Sequence, residues 1–325
     1  LDYKPLIMST NNRTALSAKA ARNLANATVT PPQWDEITPR WLHLLLQWVD
    51  VDGGIYRVNR VKSKEGGPTV EVITVDGDVS SDDDEAPELP DTYVDYEEEP
   101  REYHLSTIRT VLQTHTRITD LYSNRIDQLG EQVRLTVEAV KEREEYELIN
   151  NPRFGILNAV VENQRIKTRN GPPTPDDLDE LITRVWKKPA FFLTHPKAIA
   201  AFGREATRRG VPPPTVTLFG SPFITWRGIP LIPSDKFVIN DKNETSILLL
   251  RVGEKQRGVV GLQKAGVTGE IEPGLSVRYM GTNKKSKALH LVTRYFSVAA
   301  LDEDALARLD GVKIDHYHEY VFPKA

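Results

Sequence analysis

The stretch LSTIRTVLQTHTRITDLYSNRIDQLGEQVRLTVEAVKEREEYEL, Leu105 to Leu148, decides how the chain is read. Apolar residues recur at Leu105, Ile108, Leu112, Ile118, Leu121, Tyr122, Ile126, Leu129, Val133, Val137 and Val140. Steps of three and four place them on one stripe of a helix. Arg109, Arg117, Asp120, Arg125, Gln128, Glu131, Arg134 and Glu138 fill the other faces. Unbroken, such a helix would run roughly 65 Å, with a bend expected at Gly130. Its stripe is too long for one small core, so it must lie on a long sheet or on a neighbouring subunit. A coiled coil is the plain alternative. It is disfavoured because the spacing drifts and strand-rich sequence follows.

Around this spine the chain of 325 residues can build one large or two ordinary domains. It contains no cysteine. Disulfides, thiolate metal sites and a cysteine nucleophile are excluded, and a reducing compartment fits. No apolar run reaches the length of a membrane span, and Leu1 to Arg13 does not read as a signal peptide. A soluble, cytoplasmic protein without membrane contact is expected. The net charge of −4 is unevenly distributed. Asp76 to Glu102 holds seven Asp and six Glu against Arg101, a local −12. Taking that −12 from the total of −4 leaves +8 on the rest. No concentrated basic stripe is evident in the sequence, so nucleic-acid binding is not expected.

Ahead of the spine, Leu1 to Gln33 is polar and cannot bury itself, which reads as an arm that is either disordered or held by a partner. Thr38-Pro39 opens a short helix with Trp41, Leu44, Leu45 and Trp48 on one face, suited to docking in a groove. Ile55 to Lys62 and Thr69 to Val75 read as a hairpin, marginal unless it leans on something else. The acidic segment reads as an exposed loop, since its charge cannot be packed between subunits without matching cations. A calcium loop would need punctuating glycines and a chelating Glu that are missing.

After the spine, Asn150-Asn151-Pro152 breaks the pattern, and Phe154 to Arg165 mixes strand and turn signals. Thr174-Pro175-Asp176-Asp177 starts a helix to Trp186, Ala190 to Thr194 is a buried strand, and His195-Pro196 opens a helix ending at Arg208-Arg209-Gly210. Strands are expected over Thr215 to Phe219, Phe223 to Ile232, Thr245 to Val252, Arg257 to Lys264 and Lys287 to Leu301. A short helix is expected from Asp302 to Leu309, and a strand or tail over His316 to Phe322.

Chemistry is sparse. There is no P-loop, no dinucleotide fingerprint and no nucleophile elbow. His316 and His318 could share one face of a strand beside Asp315 and Glu319, but a third ligand is not evident. His195 reads as a helix-start residue. Asp176, Asp177, Asp179 and Glu180 are explained by the helix dipole, as are Arg208 and Arg209 at the other helix's end. No catalytic residue, metal or cofactor is expected.

Three stretches carry a family resemblance. Ala20 to Ala25, Ile37 to Leu42 and Gly53 to Arg60 are similar to the start of family-two encapsulins. Arg117 to Asn151, with Glu142-Arg143-Glu144-Glu145-Tyr146-Glu147-Leu148 and then Pro152-Arg153-Phe154-Gly155, resembles their spine. Tyr295-Phe296-Ser297-Val298 through Ala305 to Leu309 resembles the closing segment of capsid proteins.

The resemblance implies an α+β, tailed-phage major-capsid-like fold. In it, 1–50 would be an N-terminal arm and 51–104 an extended loop (the E-loop) with the acidic insert. Residues 105–173 would be the P-domain with the spine helix, 174–281 the A-domain, and 282–325 the return to the P-domain and the tail. It also implies a non-enzymatic subunit of an icosahedral shell, expected at sixty copies. One branch of the family carries a cyclic-nucleotide-binding domain near the E-loop, and the acidic segment is too short and polar to be one. The other branch, associated with a cysteine desulfurase cargo and sulfur metabolism, is therefore implied. In that fold the loop of Arg208, Arg209, Val211, Pro212, Pro213 and Pro214 would line the five-fold pore. A phage or prophage major capsid protein, packaging a genome, is the alternative.

Overall fold

The computed structural model describes residues 33–59, 96–114 and 127–317. In chain order the elements are α1 (Trp41–Leu45), β1 (Gln47–Asp50), β2 (Ile55–Val58), β3 (Arg101–His104), β4 (Ser106–Thr114), α2 (Gln128–Asn150) and α3 (Ile156–Ala159). They continue with β5 (Arg165–Lys167), α4 (Pro175–Arg184), β6 (Phe191–Thr194), α5 (Pro196–Arg208), β7 (Thr215–Leu218), β8 (Ser221–Trp226) and β9 (Ile229–Pro233). The last are β10 (Glu244–Leu250), β11 (Val259–Gln263), β12 (Glu270–Glu272), β13 (Leu275–Thr282), β14 (Ala288–Ala300) and β15 (Leu306–Lys313).

The spine is a helix only in its second half. α2 starts where Asp127 caps it by accepting a hydrogen bond from the Gly130 amide. A Cβ on Gly130 would lie 2.7 Å from that capping carboxylate, so this glycine makes room for the cap rather than for a bend. Leu105 to Thr114 is not helical: Ser106–Thr114 forms β4, an edge strand paired antiparallel with β14. A step of four, as from Ile108 to Leu112, suits a strand of period two as well as a helix. The β-branched residues Thr107, Ile108, Thr110, Val111 and Thr114 tip the balance to strand. Residues 115–126 lie outside the described set.

The stripe of α2 does find a sheet. Val133, Val137 and Val140 pack on Ile108, Leu275, Val277 and Val292 of the six-stranded sheet. In that sheet the path is β1-β11-β14-β13-β12, with β4 on β14 as well. Further along α2, Leu148 and Ile149 enter a larger core with Phe191, Leu193, Leu250, Val259 and Phe296. There the helix meets the second, seven-stranded sheet, ordered β5-β15-β10-β6-β9-β8-β7. α4 and α5 cover its other face through Leu178, Leu181, Ala198, Phe202, Leu249 and Leu309. β6 is buried on both faces, as its unbroken apolar run requires.

Several expectations are corrected. The first helix spans only Trp41–Leu45, Trp48 belongs to β1, and Leu44 is exposed rather than on the packed face. Its N-cap is Arg40 in the left-handed region, not Thr38. Trp48 lies so close over β11 that a Cβ on Gly261 would sit 2.7 Å from its indole. β2 pairs with β3 across the acidic segment, Ile55 opposite His104; the second strand of the expected hairpin, Thr69 to Val75, falls within 60–95, outside the described set. Phe223 to Ile232 is two strands, turned at Arg227-Gly228, both at positive φ. β12 and β13 were not foreseen in the sequence. Past Asp302 the chain makes one 3-10 turn and then β15, because the three acids are taken by cations: Arg251 and Lys187 on Asp304, Arg257 on Asp302 and Arg101 on Glu303. With that demand met at the turn, Leu306 to Lys313 pairs with β10.

Two neighbouring buried glutamates tie α2 to the rest. Glu144 meets Arg294 of β14 at 2.8 Å, and His43 approaches it at 3.5 Å. Burial pushes the Glu144 carboxyl up, but the His43 hydrogen bond and the Arg294 charge outweigh it and hold the group below its ordinary value. Glu145 faces the other way, toward Ser234 at 3.2 Å. Burial raises it to about 7 against opposing hydrogen bonds from Ser234 and the Leu42 backbone.

Breaking a buried pair costs about 3–5 kcal/mol, whereas apolar replacement of both partners is often neutral. Arg294→Met should therefore lower thermal stability sharply, and adding Glu144→Leu should recover most of the loss; differential scanning calorimetry of the subunit checks both. Glu145 has a folded pKa above its unfolded 4.5, so its contribution is full below pH 4.5 and is lost as pH rises through about 7. Glu145→Gln, which cannot ionise, should flatten that slope and stabilise the subunit at pH 8 by roughly 2–3 kcal/mol. Denaturant midpoints from pH 5 to 8 in parent and variant provide the measurement.

Candidate functional site

The described residues contain no cluster of three metal-ligating side chains, and no described helix is long and apolar enough to cross a membrane. His195 caps α5, its Nδ1 accepting a hydrogen bond from the Lys197 amide, and burial pushes its pKa down. Thr174 and Asp177 form a reciprocal capping box at α4, while Asp179 accepts from the Trp226 indole and binds Arg227. His316 lies against Glu205 at 3.8 Å, and His318, its suggested metal partner, lies outside the described residues. These groups hold elements together.

The loop singled out by sequence is solvent-facing. From Thr207 to Thr217 every residue is exposed except half-buried Pro213. Arg208 ends α5 and its nearest carboxylate is Glu205, at 3.9 Å. Arg209 is more engaged, reaching Asp176 at 3.3 Å and Glu205 at 3.9 Å. Gly210 turns the chain at positive φ, the Val211 amide donates to the Ala206 carbonyl, and Pro212, Pro213 and Pro214 follow. The Pro214 carbonyl then accepts from the amide and hydroxyl of Thr225, which fastens the loop to β8. The result is a stiff projection bearing one loosely paired arginine, with Val211, Val216 and Phe219 exposed along it.

A second functional feature was not read from the sequence. Where the N-terminal segment enters the body, Arg40 reaches Glu138 at 2.5 Å and Glu142 at 3.3 Å. The Thr38 amide and hydroxyl donate to Glu142, and Lys236 closes the cluster on Glu142 at 2.7 Å. Trp41 adds an apolar hold against Phe219 and Phe223. This clasp fixes the point from which residues 1–32 depart. The only sequence signal for it was the acidic run on α2, which also fits a solvated helix face.

Among the described residues no nucleophile, base or ligand set comes together; they present a projecting loop, a clasped segment at Thr38 to Trp41 and two packed sheets. Comparisons with known proteins agree with this. The family model described as type 2A encapsulin shell protein SrpI-like matches residues 64–316. The type 2A encapsulin shell protein SrpI of Synechococcus elongatus is 60% identical over 306 residues, 94% of this chain and 96% of that protein. The cryo-EM structure of the holo-SrpI encapsulin complex from the same organism superposes with a TM-score of 0.80, at 56% identity, over 95% of this chain and 100% of that one. The capsid of an empty GTA particle shares the fold at a TM-score of 0.57 and 13% identity, covering 87% of this chain and 99% of its own. The chain belongs to the type 2A encapsulin shell proteins: it is a structural subunit with the phage-capsid fold, not an enzyme.

Proposed function

We propose that copies of this chain close an icosahedral shell of sixty subunits in the cytoplasm and enclose a cysteine desulfurase for sulfur metabolism. The observation that carries this reading is the 56% identity, over nearly the whole chain, to a subunit solved as a holo encapsulin complex. A closed shell from one kind of subunit calls for point-group symmetry, and sixty is the smallest complete icosahedral set. The cargo follows from the branch without a cyclic-nucleotide-binding domain. A chain without cysteine supplies no thiol for desulfurase chemistry, so that activity must come from a second protein. The division into arm (1–50), E-loop (51–104), P-domain (105–173 and 282–325) and A-domain (174–281) belongs to the same proposal. In it the clasp on α2 orients an arm that reaches neighbouring subunits.

Particles purified from the native host should run in the megadalton range and yield a cysteine desulfurase by mass spectrometry. Small oligomers would overturn the shell reading, and intact shells with a different enclosed protein would overturn the cargo alone.

The same reading assigns the five-fold pore to Arg208, Arg209, Val211, Pro212, Pro213 and Pro214. Prolines keep the aperture stiff, and Arg208, the less engaged of the two arginines, repeats as a ring of positive charge favouring small anions and zwitterions such as cysteine. Arg208→Glu in loaded shells should reduce turnover of the enclosed enzyme several-fold at low salt, where screening is weakest. Arg209→Glu should do less, and the free enzyme should be unaffected by either. Equal turnover in parent and Arg208→Glu shells would remove the loop from the function.

A further inference from the structure

β14 turns alternate side chains to opposite faces of its sheet. Val292 and Arg294 face α2. On the other face, the C-terminal half is covered, with Val260, Leu262 and Ala299 packed under the β2–β3 ribbon through Tyr56, Tyr103 and Leu105. Among the described residues, no apolar cluster covers the N-terminal half of that face. Arg109 lies opposite Thr293, and Val111 and Arg278 lie opposite Leu291, which puts both arginines on it. Arg109 and Arg278 are exposed, as are Lys284 and Lys285 in the turn joining β13 to β14, with Lys287 half-buried beside them. None of these five cations has a carboxylate partner among the described residues. Val111 is 46% exposed between them, and the buried Thr293 hydroxyl below has no hydrogen-bond partner.

The chain itself carries the complementary charge. Asp76 to Glu99 holds twelve carboxylates and no cation. This segment joins β2 to β3, and that ribbon points away from the basic face. The Tyr103 hydroxyl donates to the Ala300 carbonyl and Arg101 reaches Glu303, both beyond the far end of the N-terminal half. Between Glu303 and Lys287 lies the whole length of β14, 13 residues, or about 43 Å of strand. That separation, and the direction in which the ribbon leaves, favour a second copy over the chain's own sheet as the partner of the acidic segment.

We propose that the basic face of Arg109, Arg278, Lys284, Lys285 and Lys287 is the docking surface for the acidic segment of a neighbouring copy of this chain. The pairing supplies the cations whose apparent lack made the segment look like a free loop. It also neutralises a like-charge cluster that every copy in the assembly would otherwise repeat. This inference rests on the shell reading and extends it.

Zero-length carbodiimide coupling of lysine to carboxylate tests it, in shells co-assembled from nitrogen-15-labelled and unlabelled subunits. Heavy–light peptide pairs joining Lys284, Lys285 or Lys287 to carboxylates between Asp76 and Glu99 are expected. Their yield should fall several-fold at high salt. The internal pair Lys141–Glu272, at 2.8 Å, reports that coupling worked. If that control forms but the acidic segment couples only within its own chain, or not to these lysines, the proposal is overturned. Particle size in the same sample separates that outcome from a failure to form shells. Lys284→Ala with Lys285→Ala and Lys287→Ala, in an exposed turn, should slow reassembly several-fold; an unchanged rate would also count against the proposal.

Discussion

The contact between Glu144 and Arg294 holds the architecture together. It joins the C-terminal half of the long helix to the middle of the long strand, and both side chains are buried. A buried charge without its partner is costly, so helix and strand have one favourable registration rather than a sliding range. Once that is set, Val133, Val137 and Val140 fall on the six-stranded sheet, and Leu148 and Ile149 reach the core shared with the seven-stranded sheet. Arg294 also lies over the Trp48 ring, so β1 is tied to the same point.

The same helix carries the clasp for the N-terminal segment, within about two turns before Glu144. Glu138 and Glu142 face outward enough to take Arg40, Thr38 and Lys236, while Glu144 and Glu145 face inward. Four glutamates on one helix thus do different jobs according to which side they face. Two hold the entering chain, one fixes the helix to the sheet, and one is kept close to neutrality by burial.

Much of this was legible beforehand where local chemistry was decisive. The helix start at Thr174-Pro175, the His195-Pro196 helix start and the apolar run of β6 were read correctly, since each depends on residues adjacent in sequence. The spine was misread over Ser106 to Thr114, and Leu306 to Leu309 was read as the end of a short helix, because in both places a partner distant in sequence outweighed local pattern. The loop at Arg208 was correctly found to be a helix end followed by stiff chain. The sequence held no cue that Arg209 would lean on Asp176 while Arg208 stayed loosely paired.

By itself, the order of residues determined that this protein has no thiol chemistry, no phosphate-binding loop, a strongly acidic segment and a family-specific series of motifs along most of the chain. Those are properties of composition and of short spacings, which survive in an unfolded chain. Only the tertiary structure decided that β2 pairs across the acidic segment with β3, that Asp302, Glu303 and Asp304 bind four cations instead of starting a helix, and that Arg109 and Arg278 share one face of a sheet. Each of these depends on strand register between segments far apart in the chain, and register is set by the whole core rather than by neighbours in sequence.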